Sequence, residues 1–142
     1  MNISKRVVIT GIGAVTPLGN TFKETLKGII EGISGISICK KSDVSKLPWK
    51  VVGEVKGFSA EDILTKKEIH RYGLFIQYAL KATHEAIKDS NITLPTDTLV
   101  VIGSSRGGIY EIENVFDKIY KNIRISAYFM PATTLNMVTS VI

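Results

Sequence analysis

Hydrophobic and polar positions along the chain change period several times. Residues 6–12 carry a β-branched run, Val7, Val8 and Ile9, and reach Gly11, a pattern that predicts a buried strand. Gly13 to Gly19 reads as a turn-rich loop around Pro17. Thr21 with Glu24 has capping-box spacing, so a helix is expected to start there. Phe22, Leu26, Ile29, Ile30 and Ile33 form its apolar stripe, and Gly32 is placed to end it. Residues 34–58 have no helical period, and 49–56 alternate weakly, as an exposed strand or hairpin arm does. Ser59 with Asp62 predicts a capped short turn of helix. Thr65 with Glu68 predicts the cap of a long helix, with Ile69, Tyr72, Ile76, Leu80, Thr83 and Ile87 on one face and its end near Asn91. Residues 98–102 are a second apolar strand. They lead into the glycine-rich stretch Gly103–Gly108 and a further helix from about Ile109 to Lys121, with Ile112, Phe116 and Ile119 expected inside.

Apolar strands separated by helices predict a parallel sheet covered on both faces, an α/β layered fold. The last stretch, Leu135 to Ile142, is largely apolar and lacks a stop signal, so the chain reads as the front part of a longer protein. Hydrophobic content of 44% and charged content of 22% are those of a globular protein. No stretch approaches the ~20 apolar residues of a membrane span. The apolar run after Arg6 is shorter than a signal-peptide core of about 7–15 residues, which makes the cytoplasm the default compartment. The single cysteine, Cys39, has no internal disulfide partner. The net charge of +5 suggests acidic partners. Nucleic acid is not favoured, because the basic residues are scattered and no nucleic-acid motif appears.

Candidate chemistry is sparse. Gly11 and Gly13 follow a predicted strand, as in a dinucleotide fingerprint, but Thr16 stands where the third glycine belongs and Pro17 delays the helix. Glycines that let the backbone turn sharply are the plainer explanation. Gly103–Gly108 lacks the Gly-Lys-Ser/Thr of a phosphate loop; a ligand loop and a simple tight turn both remain open. Lys66, Lys67, His70 and Arg71 fall in the first turns of the predicted long helix, where cations oppose the helix dipole at about 0.3–1 kcal/mol each. That placement favours an anionic partner. Cys39 lies near Lys40 and Lys41, which favour a thiolate, but no base is close in sequence, so it reads as an ordinary reduced cysteine. His84 reads as a surface or packing residue. One cysteine and two distant histidines make no metal constellation.

Taken in order, Lys5 to Gly19, Ser34–Ile36, Gly53–Val55, Lys67-Glu68, Arg71, Phe75 to Leu80, Ile102–Ser104, Gly107-Gly108, Ile125-Ser126, Phe129, Pro131 and Asn136-Met137 closely resemble the start of a β-ketoacyl-acyl-carrier-protein synthase of the type II elongating class. The resemblance implies a thiolase-like layered αβαβα fold with only part of its first half in residues 1–142. It implies a homodimer, or a heterodimer with another synthase subunit. It also implies an acyltransferase that condenses acyl groups with malonyl thioesters on acyl carrier protein, needs no cofactor, and uses a cysteine, two histidines and a lysine. None of those four matches a position here, so the chain alone is expected to be inactive. The resemblance places carrier-protein docking on Lys67, His70, Arg71 and Arg124. His70 stands where some members have arginine, and Ile123 where some have a second basic residue. Arg106, Gly107 and Phe129 match acyl-pocket positions. Arg106 departs from the apolar gate common in elongating members. It would shorten the pocket, pair with a carboxylate or take a polar starter, so fatty-acid and polyketide chemistry both stay open. The rival readings are a non-catalytic, chain-length-factor-like partner subunit and a nucleotide-binding module.

Overall fold

The computed structural model describes residues 6–40 and 43–142. Part of the basic cluster near Cys39, Lys41, lies outside the described residues, as does Lys5. In chain order the elements are α1 (Phe22–Ile30), β1 (Ser37–Ile38), β2 (Val51–Val52), α2 (Lys66–Arg71), α3 (Leu74–Ser90), α4 (Ile109–Tyr120), α5 (Phe129–Thr133) and α6 (Asn136–Val141). The one sheet among the described residues is the antiparallel pair of β1 and β2, with Ser37 opposite Val52 and Ile38 opposite Val51.

Local chemistry sets most helix ends. Thr21 accepts from the Glu24 amide at 3.2 Å. The Glu24 carboxylate turns to the Asn20 amide instead of closing the box on Thr21. Gly32, at φ +67°, ends α1 in a Schellman motif: its own N–H reaches Ile29 O, and the Ile33 N–H reaches Gly28 O. Asn91 ends α3 with φ +52°. Asn122, at φ +53°, does the same for α4.

Four expectations change. Residues 6–12 and 98–102 form no strand, and they are open, with Val7 94% and Leu99 83% exposed. A strand exists only with a hydrogen-bonded neighbour, and no described segment supplies one to either run. The apolar stripes of α1 and α4 are largely open, with only Phe22 and Ile112 half-buried. Leu26, Ile29, Ile30, Ile33, Phe116 and Ile119 are exposed. The side of α1 that packs is the small one: Thr25 bonds Thr16 Oγ1 at 2.9 Å, and Gly28 lies against Leu18.

The predicted long helix is two helices. The Thr65–Glu68 box forms in full at the start of α2. Tyr72 then turns extended (φ −93°, ψ 132°), and α3 begins anew at Leu74. A Cβ on Gly73 would stand 2.2 Å from Ala132 O, so α5 packs straight onto the break. Ser59 makes only a turn, its Oγ accepting from the Glu61 amide at 3.2 Å. Asp62 pairs with Lys81 rather than capping. The core lies where α3 meets α6, each carrying one fully buried aliphatic residue, Ile76 and Val138.

Candidate functional site

Lys67, His70 and Arg71 stand exposed on α2. The helix break revises the dipole argument. Lys66 and Lys67 occupy the unfavourable first turn, whereas His70 and Arg71 fall in the last turn, where the dipole favours cations. None of Lys67, His70, Arg71 or Arg124 forms a salt bridge among the described residues. Glu68, the one acid on α2, is committed to the cap. Its carboxyl is held below its ordinary range by Thr65, first through the side-chain hydrogen bond and then through the backbone amide. Its charge also acts on Arg71, and against Lys66, Lys67 and Arg71 it leaves this surface with an excess of positive charge.

A cavity of about 440 Å³ opens beside it. His70 and Tyr72 border it from the end of α2, Glu111 and Lys118 from α4, and Tyr128 and Phe129 from the start of α5. Arg71 does not line it, but its guanidinium carbon sits 5.7 Å from the Tyr128 ring centre and 6.0 Å from that of Tyr72. Arg124 is exposed on the segment that leads to Tyr128. Glu111 fixes the floor of the cavity. Its Oε1 accepts from the Leu74 amide at 2.6 Å, capping α3 from 37 residues away. Burial, then the nearby Glu111 charge, raises the Tyr78 hydroxyl above its ordinary range.

The glycine-rich stretch forms a turn closed on itself, with Ser104 Oγ accepting from the Gly107 amide at 2.9 Å. Gly107 takes φ +53°. Gly108 meets α5 so closely that a Cβ would stand 2.6 Å from Thr133 Cα. Of the three acyl-pocket candidates, Phe129 lines the cavity, Gly107 sits beside α5 outside it, and Arg106 is exposed with no partner among the described residues. Sequence reasoning missed Glu111, Lys118 and Tyr128. Glu111 and Lys118 reach the site from α4 and Tyr128 from the start of α5, and no local pattern announces them.

The Gly11/Gly13 motif resolves as packing. A Cβ on Gly11 would lie 2.1 Å from Ala86 O, and one on Gly13 1.9 Å from Ala82 O, so this loop rests directly on α3. Neither glycine has positive φ, so close approach, not a sharp turn, requires them. The Glu85 carboxylate accepts from the Ala14 amide (2.9 Å) and from the Phe22 amide (2.9 and 3.0 Å), and Asp89 accepts from the Ile12 amide (3.0 Å). Carboxylates thus occupy the amides that a pyrophosphate would need, which removes the nucleotide reading. His84 is exposed and borders a second, polar cavity with Asn20, Asp62 and Lys81. Cys39 Sγ lies 3.5 Å from Glu54 Oε1, so a carboxylate faces the thiol. Among the described residues no cluster of three or more potential metal ligands occurs, and no helix is long and apolar enough to cross a membrane.

With this geometry in view, relatives fall on one class. Residues 4–142 match the model of the beta-ketoacyl synthase N-terminal domain, and the chain belongs to that family. It is 36% identical over 145 residues to 3-oxoacyl-[acyl-carrier-protein] synthase 2 of Staphylococcus aureus strain COL, covering 98% of this chain and 35% of that protein. Against the Vibrio cholerae protein of the same name it is 34% identical over 140 residues, covering 94% of this chain and 34% of the relative. The chain thus spans about a third of the length of the curated relatives it matches. Its backbone is similar to the ishigamide ketosynthase/chain length factor, with a TM-score of 0.80 at 20% identity over 96% of this chain and 36% of that one. A type II polyketide ketosynthase solved with its acyl-carrier protein gives 0.64 at 20% identity, over 98% of this chain and 39% of that one. The fold is therefore the thiolase-like ketosynthase fold over the part the chain spans.

Proposed function

We propose that residues 1–142 are the N-terminal part of a 3-oxoacyl-acyl-carrier-protein synthase and that this part docks the carrier. The whole enzyme would join an acyl thioester to a malonyl thioester held on acyl carrier protein. A carbon–carbon bond forms to the acyl carbonyl, the acyl thiol leaves, and the malonyl carboxylate departs as carbon dioxide. The nucleophile and its histidine and lysine partners match no residue of this chain, which therefore contributes surface and pocket wall. Lys67, His70, Arg71 and Arg124 meet the acidic carrier, and Phe129 with Gly107 and Arg106 borders the acyl group. The enzyme works in the cytoplasm as a dimer, with no cofactor.

The observation that carries this reading is the exposed cation set on α2, with no salt bridge among the described residues, beside an aromatic-lined cavity, in a chain whose curated relatives are named for acyl-carrier-protein chemistry. Electrostatic complementarity of this kind steers association and makes it salt-dependent. The test is carbon dioxide release from radiolabelled malonyl-carrier by the complete protein in the presence of an acyl-carrier. Release with formation of the 3-oxoacyl product supports the reading; none at any acyl length removes it.

A second reading, a non-catalytic, chain-length-factor-like partner, has its own support. The backbone likeness to the ishigamide ketosynthase/chain length factor is the observation that favours it. Such a partner would bind carrier yet release no carbon dioxide by itself.

A further inference from the structure

We infer that Tyr128 is a positioning residue that holds the Arg71 guanidinium toward an acidic partner, an inference that rests on the carrier-docking reading above. The guanidinium carbon of Arg71 is 5.7 Å from the Tyr128 ring centre and 6.0 Å from the Tyr72 ring centre, both within cation–π range. Arg71 has no salt bridge among the described residues; Glu68, three residues back on α2, attracts its charge from beyond ion-pair distance, and the two rings are the contacts that locate the guanidinium. Both rings stand on fixed backbone. The Tyr72 amide donates to Glu68 O at 2.8 Å, and Gln77 Nε2 donates to Tyr72 O at 2.8 Å. The Tyr128 amide donates to Ser126 Oγ at 3.2 Å, and Tyr128 O accepts from the Ala132 amide at 3.0 Å at the start of α5.

An exposed arginine otherwise samples many rotamers, and ordering it on binding opposes association. Two rings within cation–π reach of the guanidinium restrict that disorder beforehand and leave N–H groups free for carboxylates. Tyr72 follows Arg71 directly and belongs to the same turn. Tyr128 comes from a distant segment, so it is the ring that ties α2 to the stretch bearing Arg124 and to Phe129 on the cavity wall. The interaction uses the ring face; the hydroxyl is dispensable.

The experiment is titration of the full chain with acyl carrier protein, by fluorescence anisotropy at low salt, alongside NMR of the Arg71 Nε–Hε group. Tyr128→Leu is expected to weaken binding about 2–5-fold, the range for an exposed cation–π contact. Tyr128→Phe is expected to bind as the parent does, a rescue that a lost hydroxyl contact would not allow. In the background of Arg71→Met, Tyr128→Leu should have no further effect. The Arg71 Nε–Hε resonance should carry a ring-current shift that Tyr128→Leu removes and Tyr128→Phe keeps. Parent-like binding by Tyr128→Leu, or equal loss in the Phe and Leu variants, overturns the inference. Additive effects of Arg71→Met and Tyr128→Leu overturn it as well. If the parent chain does not bind the carrier at all, the docking reading fails. The clamp on Arg71 is then decided by the NMR shift alone, with an unshifted resonance refuting it.

Discussion

Glu85 should be the residue whose loss most damages the packing of the N-terminal loop. Its carboxylate spans 71 residues to the Ala14 amide and 63 residues to the Phe22 amide, the latter the first N–H of α1. A hydrogen bond to a charged group contributes roughly 1.5–3 kcal/mol, and a part-buried site sits near the lower end. An anion at a helix N-terminus adds about 0.3–1 kcal/mol. Water will reach the freed amides in part, so Glu85→Ala is expected to destabilise by about 2–4 kcal/mol. At about 3–4 °C per kcal/mol for a domain of this size, the midpoint should fall by about 6–16 °C. Glu85→Gln keeps one acceptor oxygen and turns an N–H₂ toward the other amide, so about half of that loss should remain. Urea and thermal unfolding followed by far-UV circular dichroism measure both variants, with Lys88→Ala as an exposed control expected within about 0.5 kcal/mol of the parent. A Glu85→Ala midpoint within about 2 °C of the parent would refute the claim that carboxylates close this loop onto α3.

Gly13→Ala should destabilise by about 2–3 kcal/mol or more, because its Cβ would stand 1.9 Å from the backbone oxygen of Ala82, and backbone cannot step aside as a side chain can. Asp62→Asn should cost less than about 1 kcal/mol at neutral pH, since the carboxylate is mostly exposed although Lys81 is not. The hydrogen bond from Lys81 holds the Asp62 carboxyl below its ordinary 3.8, so the pair's contribution is full above about pH 4. It is lost as pH falls through the folded value, and the gap between parent and variant should close in acid denaturation curves. The open runs should drive self-association. Leu99→Lys with Val101→Lys should lower the weight-average mass in sedimentation velocity, and an unchanged mass would clear this segment of the role.

What the sequence disclosed, and what it did not, follows from range. Caps were legible, because Thr21, Gly32, Thr65, Glu68 and Asn91 act on backbone within a few residues of themselves. The break between α2 and α3 was not, because it is imposed by Ala132 packing on Gly73 and by Glu111 capping Leu74. The stripe residues of α1 and α4 were placed on the right elements, but period alone cannot say which neighbour a face meets, and among the described residues Leu26, Ile30 and Phe116 meet none that covers them. The same holds for the two apolar runs, whose ladders no described segment provides. At the candidate site, the cations of α2 were readable together because they share one short helix. Glu111, Lys118 and Tyr128 join them only through folding. The glycine pair was read correctly as no nucleotide motif but for an incomplete reason: Ala82, Ala86, Glu85 and Asp89, at helical spacing on α3, are what Gly11 and Gly13 serve.

The most direct test of the central claim is the affinity of the chain for acyl carrier protein as a function of salt, compared with the Lys67→Glu/Arg71→Glu variant. Binding that weakens steadily with ionic strength, and at least about tenfold on charge reversal at low salt, is the expected result. Affinity indifferent to both salt and the two substitutions would contradict the account and move the carrier away from α2.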